Sequence, residues 1–460
     1  MRIILLSGGS GKRLWPLSND VRSKLFLKLL PGEDGRLESM IQRVCRQLAA
    51  AGLAAQAAIV THRSQAEITR SHVGLGIPII EESRKRGTYA AVAQACSYLA
   101  GELKADRDEI VCVLPVDLFV ESDFFDLLQR LPQTLQQAGA DIALVGTAPS
   151  HPSSQYGYIV PERKKRASRG KKEAAEAGDG KELPWFSVER FAEKPDPPTA
   201  ASLIRRGALW NCGVFAFRLG YMLERMGGDE RLAADGERRE GFRGLRESSF
   251  DEEVVERCSR RAALLYEGPW HDLGSWETFV SHMGGTQIGP GHVAEGSHNT
   301  HLINELSSPI HVIGLCDVIV AASPDGILVA SKSEASRIKS MLGEQARLPM
   351  YEEKRWGICR TIDYAETEDG AVLTRRVELQ PGSHTSYHLH ERKEEVWTVL
   401  AGTGRFMLED QIYTVGPGDV MRFPPGARHG VKAVTELLCM QVEIGDVLDE
   451  KDIERLLMSW

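Results

Sequence analysis

Short apolar runs alternate with amphipathic stretches over roughly the first 285 residues. The clearest apolar runs are Ile3–Leu6, Ala57–Thr61, Glu109–Leu114 and Ile142–Val145. The amphipathic stretches are Leu37–Ala51, Tyr89–Leu103 and Asp123–Ala138. Strands that alternate with helices predict an α/β domain with a mostly parallel sheet and helices on both faces.

The pattern changes twice after this region. Residues 286–346 contain three β-like runs and then a polar helical stretch at Glu334–Leu342, which predicts a short β-rich connector. The three runs are His311–Gly314, Val318–Ala322 and Gly326–Ala330. From 347 to 460, strand-like runs are separated by glycine- and proline-rich turns, which predicts a β-sandwich or barrel. A last helix is predicted at about Asp449–Met458.

Composition limits the class of protein. The chain has 460 residues, 42% hydrophobic and 26% charged, as in a soluble globular protein of two or three domains. The formal net charge of −8 argues against a globally basic surface, so we expect no nucleic-acid partner. Apolar runs are too short for a membrane span or a signal peptide, so we expect a cytoplasmic protein with no membrane partner. The eight cysteines form no CxxC pair, which favours free, buried thiols.

A basic insertion separates two strand-like segments, Tyr156–Pro161 and Trp185–Phe191. Seven of the ten residues in Arg163–Lys172 are basic, and acidic residues follow directly. We interpret this insertion as a solvated hairpin loop, because low-complexity charged segments bury too little apolar surface to order. The alternative is a dedicated anion-binding arm.

A glycine-rich loop, Ser7–Leu14, directly follows the first predicted strand. Such loops let backbone N–H groups approach phosphates closely. Two common phosphate-binding patterns do not match. A Walker A loop needs glycine at Leu6 and serine or threonine at Arg13, and the dinucleotide fingerprint needs glycine at Leu14. By itself the loop is a weak indication of a phosphate site.

The sequence around this loop extends the pattern over two segments, Ser7–Ser18 (SGGSGKRLWPLS) and Ser23–Phe26 (SKLF). Together they resemble the signature of the sugar-nucleotide pyrophosphorylases, and LWPLS is most similar to the mannose-1-phosphate guanylyltransferases. The residues that this family places at phosphate are present as Arg13 and Lys24. Three positions depart from the family's usual residues: Lys12, Ser23 and Leu25.

Six further segments resemble motifs of the same family and follow in the family's order. They are Glu81–Thr88, Val113–Asp117, Tyr156–Ile159, Phe191–Pro195, Trp210–Phe215 and Trp270–Trp276. The first of them departs from the family at Ser83 and Gly87. One such motif would be a weak signal, whereas seven in order over about 270 residues identify the region as a member of the family.

The resemblance implies a Rossmann-like α/β nucleotidyltransferase, forming a homo-oligomer, that converts GTP and mannose 1-phosphate into GDP-mannose and pyrophosphate. The implied catalytic residues are Arg13, Lys24, Asp117 and Asp272. The implied nucleotide-binding residues are Ser7, Gly8, Gly9, Gly11, Arg13 and Arg86. The implied sugar-phosphate-binding residues are Gly157, Glu193, Lys194 and Asn211. Asp117 and Asp272 would hold Mg²⁺ through hard oxygen ligands.

Simpler interpretations exist for several of these residues. An aspartate at a strand end is often only a turn residue, and Glu-Lys-Pro is usually a surface turn. Trp270 and Trp276 are interpreted as packing aromatics. Two alternative functions also stay open. One is a pyrophosphorylase for another nucleotide or sugar, and the other is a non-catalytic protein that binds nucleotide sugars. The presence of Arg13, Asp117 and Asp272 favours an enzyme.

The C-terminal region carries a second motif set. Its spacing matches both halves of the cupin signature: Gly382, His388, His390, Glu395 and Gly402, then Gly418, Pro424, Gly426 and His429. On a strand, His388 and His390 face the same side. Three imidazoles and one carboxylate, His388, His390, Glu395 and His429, suit Zn²⁺, Mn²⁺ or Fe²⁺.

The fused arrangement resembles bifunctional guanylyltransferases that carry a type II mannose-6-phosphate isomerase cupin. The sequence KRWG, which begins at Lys354, resembles the RPWG that opens that domain. The family has glutamine where His388 stands and arginine where Gly430 stands. The resemblance implies mannose 6-phosphate and fructose 6-phosphate as substrates of this domain. The two departures leave a cupin without isomerase activity as the alternative. The predicted domains are 1–285, 286–346 and 347–460.

Overall fold

The computed structural model describes residues 1–9, 11–74, 76–162, 185–226, 247–343, 348–368, 370–446, 448 and 452–460. The basic insertion at Arg163–Lys172 lies outside them. By contacts, the chain forms two compact units. The first comprises Met1–Gly8, Met40–Ala66 and Leu75–Leu273. The second comprises Gly9–Ser39, Glu67–Gly74 and Gly274–Trp460. The domain boundaries given above stay predictions.

The strands in chain order are β1 Arg2–Ser7, β2 Leu30–Pro31, β3 Leu37–Glu38, β4 Ala57–His62, β5 Ile79–Glu82, β6 Ile110–Pro115, β7 Leu118–Val120, β8 Ile142–Thr147, β9 Tyr158–Pro161, β10 Trp185–Ala192, β11 Leu209–Arg218, β12 Arg261–Tyr266, β13 Trp270–Asp272, β14 Gln287–Ile288, β15 Gly291–Val293, β16 His301–Asn304, β17 Ile310–Val312, β18 Val318–Ser323, β19 Gly326–Ser331, β20 Tyr351–Lys354, β21 Gly357–Thr367, β22 Gly370–Leu379, β23 Tyr387–Leu389, β24 Lys393–Ala401, β25 Gly404–Leu408, β26 Gln411–Val415, β27 Val420–Phe423, β28 His429–Ala433, β29 Leu437–Gly445 and β30 Glu454–Leu457. The α-helices are α1 Met40–Ala50, α2 Ala66–Val73, α3 Gly87–Gly101, α4 Asp123–Leu128, α5 Leu131–Ala138, α6 Pro197–Arg205, α7 Leu219–Arg225, α8 Trp276–Val280 and α9 Ile338–Met341. Short 3₁₀ helices lie at Gly11–Leu14, Lys24–Phe26, Ala54–Gln56, Arg63–Gln65 and Ala335–Arg337, and a π-helix at Asp251–Val255.

A nine-stranded sheet forms the centre of the first unit, in the order β5-β4-β1-β6-β11-β8-β12-β10-β9. Strands β5, β4, β1 and β6 run parallel, so that Ile3 pairs with Ala57 on one side and Cys112 on the other. Strand β11 runs antiparallel to β6 and β8, whereas β8 and β12 are parallel. The predicted α/β fold is confirmed, and the sheet is a mixed one with parallel portions.

One predicted helix is divided in two. The stretch Asp123–Ala138 forms α4 and α5, which are separated by two residues. Pro132 stands in the first turn of α5, where its missing N–H costs nothing, but it could not continue a helix that began at Asp123. The predicted single helix was therefore wrong, and the proline is the reason.

The connector forms a four-stranded sheet in the order β14-β16-β18-β19, beside a two-stranded sheet of β15 and β17. These strands include the three predicted runs. The predicted polar helix begins as a 3₁₀ turn at Ala335–Arg337 and continues as α9.

The C-terminal region is a sandwich of two antiparallel sheets, in the orders β20-β21-β22-β29-β24-β27 and β26-β25-β28-β23-β30. Side chains from both sheets form one core, which includes Val377, Trp397, Phe406 and Val431. The predicted cupin barrel is confirmed.

The predicted last helix was wrong. Glu454–Leu457 forms β30, which pairs antiparallel with β23. Hydrogen bonding to β23 outweighs the local preference of this segment, because backbone donors and acceptors of β23 need partners. The eight cysteines are free, but Cys316 is exposed, contrary to the expected burial. Within the described residues, no helix has the length and apolar character needed to cross a membrane.

Candidate functional site

Two of the predicted catalytic residues lie next to each other in the first unit. Asp117 follows β6 and precedes β7, and Asp272 is the last residue of β13. Strands β7 and β13 pair antiparallel, which places Asp272 opposite Leu118. The N–H of Leu273 donates to the carbonyl oxygen of Asp117 at 3.4 Å. The fold therefore brings the two aspartates together from positions 155 residues apart in sequence.

The predicted sugar-phosphate residues also meet in the first unit. A Cβ at Gly157 would lie 2.7 Å from Glu193 Oε2 and 3.4 Å from Asn211 Cβ, so both side chains pack against this glycine. The N–H of Asn211 donates to the carbonyl of Gly157 at 2.8 Å. A side chain at 157 would collide with Glu193 and with Phe191, which lies 2.8 Å from the same Cβ position, so this close packing requires glycine.

A second carboxyl group beside Glu193, that of Asp251, was missed by sequence reasoning. Asn211 Nδ2 donates to Asp251 Oδ1 at 2.9 Å. Burial and the neighbouring Glu193 raise the pKa of Asp251 to about 7. Glu256 accepts a hydrogen bond from the N–H of Glu193 at 2.9 Å, just after the end of β10. No motif marks Asp251, because it reaches the site from a π-helix 40 residues beyond Asn211.

Lys194 supplies the positive charge at this subsite. Its Nζ donates to Glu193 Oε1 at 2.6 Å. Burial opposes its protonation, but the hydrogen bond to Glu193 and nearby carboxylates raise the pKa of Lys194 overall. The lysine therefore stays protonated.

The tryptophans pack as expected. The Trp210 and Trp270 ring centroids lie 4.9 and 5.3 Å from Tyr156, so these three rings pack together. Trp276 is 1% exposed and donates its Nε1–H to the carbonyl of Trp15.

The predicted nucleotide-binding residues are divided between the two units. Ser7, Gly8 and Arg86 belong to the first, and Gly9, Gly11 and Arg13 belong to the second. The predicted catalytic residue Lys24 also belongs to the second unit. Gly9 has a φ of 144°, and no atom lies within 4 Å of a Cβ built on it, so its backbone is accessible. Arg86 is the N-cap of α3, and Gly87 follows with a φ of 83°. Glycine at 87, where the family usually has asparagine, suits this conformation.

The cupin residues form a compact cluster in the second unit. One ring nitrogen from each of His388, His390 and His429 lies within 4.8 Å of the others, and all three side chains are buried. His388 on β23 pairs directly with His429 on β28. Glu395 on β24 completes the cluster, with Oε1 3.0 Å from His390 Nε2 and Oε2 3.5 Å from His429 Nε2.

The rings are oriented by backbone carbonyls. The Nδ1 atom of His388 lies 2.7 Å from the carbonyl of Ser386, and that of His429 lies 3.0 Å from the carbonyl of Ala427. His390 Nδ1 contacts the carbonyl of Asp452. Carbonyls at Nδ1 fix the tautomer and leave Nε2 as the ligand atom, as in metal sites.

The electrostatics also fit a metal ion. Burial and His429 lower the pKa of His388 to about 3, so this imidazole is neutral at physiological pH. Burial works against ionisation of Glu395, but His390 and His429 hold its pKa well below the usual range. His429 Nε2 is buried without a hydrogen-bond partner among the described residues. Three imidazoles, one carboxylate and a buried nitrogen without a hydrogen-bond partner among the described residues match the donor set of a divalent transition metal.

The position where the isomerases carry arginine is closed. A Cβ at Gly430 would lie 2.7 Å from Trp460 Nε1, which donates to the carbonyl of Thr385. Three cations of the C-terminal region that could take over the role of that arginine have acidic partners. Arg428 pairs with Glu409 and Asp410, Arg355 with Glu67, and Lys354 with Glu352.

Comparison with known proteins identifies the families of the N-terminal and C-terminal regions. The nucleotidyl transferase family matches residues 2–286, and the cupin domain family matches residues 375–443. The chain belongs to the nucleotidyl transferase family. This confirms the family resemblance drawn from the seven motifs.

Three similar proteins match this nucleotidyltransferase over nearly its whole length. It is 28% identical to the alginate biosynthesis protein AlgA of Pseudomonas aeruginosa, over 98% of this chain and 95% of that protein. It is 27% identical to a mannose-1-phosphate guanylyltransferase of Escherichia coli and 29% to the xanthan biosynthesis protein XanB of Xanthomonas campestris, in each case over 98% of this chain and 97% of the relative.

A solved structure supports the fold. The crystal structure named as mannose-1-phosphate geranyltransferase from Thermus thermophilus superposes with a TM-score of 0.58 at 26% identity. The match covers 74% of this nucleotidyltransferase and 98% of that chain.

Proposed function

We propose that this nucleotidyltransferase transfers a guanylyl group from GTP to mannose 1-phosphate, giving GDP-mannose and pyrophosphate. The observation that carries the proposal is the pairing of β7 with β13, which sets Asp117 beside Asp272 in the first unit. Glu193 and Asn211, which pack against Gly157, would supply a sugar subsite in the same unit. The full-length similarity to proteins named for this activity supports the choice of substrates.

The reaction joins two anions. An oxygen of mannose 1-phosphate attacks the α-phosphorus of GTP, a new P–O bond forms, and the bond to the β-phosphate bridging oxygen breaks as pyrophosphate leaves. Positioning and neutralisation of charge supply most of the catalysis in such transfers. Arg13 and Lys24 would neutralise the triphosphate, and Lys194 would neutralise the sugar phosphate. Glu193 and Asn211 would orient the sugar through its hydroxyls.

The two aspartates fit a magnesium ion, because carboxylate oxygens are the ligands that Mg²⁺ prefers. Asp117 and Asp272 would hold it, and it would supply positive charge at the reacting phosphates. Both side chains are part-buried.

The test is pyrophosphate release across four nucleoside triphosphates and several sugar 1-phosphates, with Mg²⁺ present. We expect GTP with mannose 1-phosphate to give the highest kcat/KM. A higher kcat/KM for another pair would replace the substrate assignment. Tight binding of GDP-mannose without turnover of any pair would favour the non-catalytic alternative.

We further propose that the cupin holds one transition-metal ion but does not isomerise mannose 6-phosphate. Isomerisation of a sugar phosphate needs a cationic grip on the phosphate as well as a metal and a base. Trp460 occupies the space beside Gly430, and Arg428, Arg355 and Lys354 already pair with carboxylates. Elemental analysis and a coupled isomerase assay on one sample test this. Metal without isomerisation is expected. Isomerisation would contradict the proposal, and a folded sample without metal would reject the metal site.

A further inference from the structure

The segment that carries Arg13 and Lys24 is held by an unusual buried cation, Arg22. Its guanidinium forms two hydrogen bonds to the carboxylate of Glu305, at 2.8 and 2.9 Å. The same group lies 4.6 Å from the centroid of the Tyr351 ring. The Arg22 side chain is 8% exposed. A bidentate, stacked arginine fixes both position and orientation, which a lysine at this place would not do.

A second set of hydrogen bonds fixes the loop just before Arg22. Asn19 Oδ1 accepts the N–H of Arg22 at 2.7 Å. Asn19 Nδ2 donates to Asp325 Oδ2 at 2.9 Å and to the carbonyl of Tyr351 at 3.1 Å. Asp325 in turn accepts the N–H of Met350 at 2.8 Å. Asp325 thus ties the loop to the chain that leads into β20, the first strand of the cupin region.

The contacts continue on both sides of these residues. Ser323 Oγ donates to the carbonyl of Pro16 at 2.6 Å. Lys28 Nζ lies 3.3 Å from Glu353 Oε1 on β20. These contacts lie within the second unit, to which Gly9–Ser39 belongs. The stretch 16–28, which follows the glycine-rich loop and includes Lys24, is therefore fastened to the connector and to β20 through Pro16, Asn19, Arg22 and Lys28.

We propose that Arg22 is a positioning residue for nucleotide binding, through which Glu305 and Tyr351 hold the segment bearing Arg13 and Lys24. The inference rests on the proposed function, in which those two cations meet the triphosphate. Lys24 follows Arg22 by two residues and begins a 3₁₀ helix, so displacement of Arg22 displaces Lys24 directly. The connector and the first cupin strand thereby become part of the transferase apparatus.

A purely structural role would give a different result. Loss of a stabilising contact lowers the melting temperature and affects both substrates alike. Loss of positioning at the triphosphate raises the KM for the nucleotide and leaves the KM for the sugar phosphate unchanged, because the sugar subsite is built from residues of the first unit. The separation of the two KM values is therefore the diagnostic measurement.

The experiment compares full-length wild type, Glu305→Gln, Arg22→Lys and Arg22→Met. The matched control is Glu334→Gln, which breaks an exposed ion pair with Arg337 in the same unit. We expect the KM for GTP to rise about ten-fold or more in Glu305→Gln and Arg22→Met, and less in Arg22→Lys. The KM for mannose 1-phosphate should stay within about two-fold, and the control should match wild type.

Either of two results would overturn the inference: an unchanged KM for GTP in folded Glu305→Gln, or equal rises in both KM values. If Arg22→Met does not fold, Glu305→Gln decides, since it keeps the volume of the side chain. If wild type prefers another substrate pair, the substrate assignment fails, and the KM values of that pair test Arg22. If wild type turns over no pair, equilibrium binding of GTP and of the other nucleotides to the same variants tests it, and undiminished binding refutes it.

Discussion

Replacement of Asp251 by asparagine is expected to change the pH dependence of stability. Asp251 lies against Glu193 and accepts a hydrogen bond from Asn211, and its burial raises the pKa to about 7 from an ordinary 3.8. Asparagine has the shape of the protonated carboxyl and can accept the same hydrogen bond. The substitution therefore removes the ionisation and keeps the packing.

The sign follows from linkage. A carboxyl group with a raised pKa in the folded state contributes stability that is fully present below 3.8 and is lost as the pH rises through about 7. Between about pH 5 and about pH 8 the contribution changes over about 2 pH units, from about 5 to about 7, which corresponds, at about 1.4 kcal/mol per unit, to an upper bound of about 3 kcal/mol. Relaxation and water entry around a charged group reduce such penalties, so we expect a measured difference of about 2 kcal/mol.

Urea unfolding of wild type and Asp251→Asn at about pH 5 and about pH 8 measures this difference. The variant should gain stability relative to wild type as the pH rises, and the gain should be in the transition of the first unit. Asp126→Asn, a substitution of an exposed aspartate in the same unit, is the control and should show no such trend. A constant difference between wild type and Asp251→Asn at the two pH values would refute the reasoning.

Three further predictions concern the sites and the insertion. Asp272→Ala is expected to lower kcat at least about a hundred-fold without unfolding the protein, since it removes a ligand for Mg²⁺. The control Asp126→Ala should leave kcat unchanged. Pyrophosphate release measures both. Deletion of Arg163–Lys181 with a short Gly/Ser bridge should leave kcat/KM within about a few-fold, because long surface loops are cheap to change, and a collapse in activity at unchanged stability would show that the insertion is a functional arm. His429→Ala should reduce the metal content at least about ten-fold by elemental analysis and abolish any rise of the melting temperature on adding metal, whereas full metal content would contradict the ligand assignment.

The apolar runs Ile3–Leu6 and Glu109–Leu114 were correctly predicted as strands of the sheet. A strand that is covered on both faces of a sheet needs apolar side chains on both sides, so its sequence is a continuous apolar run. The local residue pattern at Glu454–Leu457 predicts a helix, and this prediction was wrong. The segment forms a strand because it pairs with β23, which lies more than 60 residues earlier and cannot be read from a local pattern. Pro132 divided a predicted helix that the hydrophobic spacing alone did not interrupt.

The two motif sets can be read from the sequence by itself. They predict the α/β and cupin folds and the candidate site residues Asp117, Asp272 and His388. These signals are readable because each motif is a short stretch whose chemistry does not depend on the rest of the chain. Only the tertiary structure decided that Asp251 joins Asn211 and that Arg22 meets Glu305, which is 283 residues away. Hydrophobic periodicity shows which face of a helix or strand is buried. It does not show which distant residue that face contacts, because the partner depends on how the sheets and loops pack.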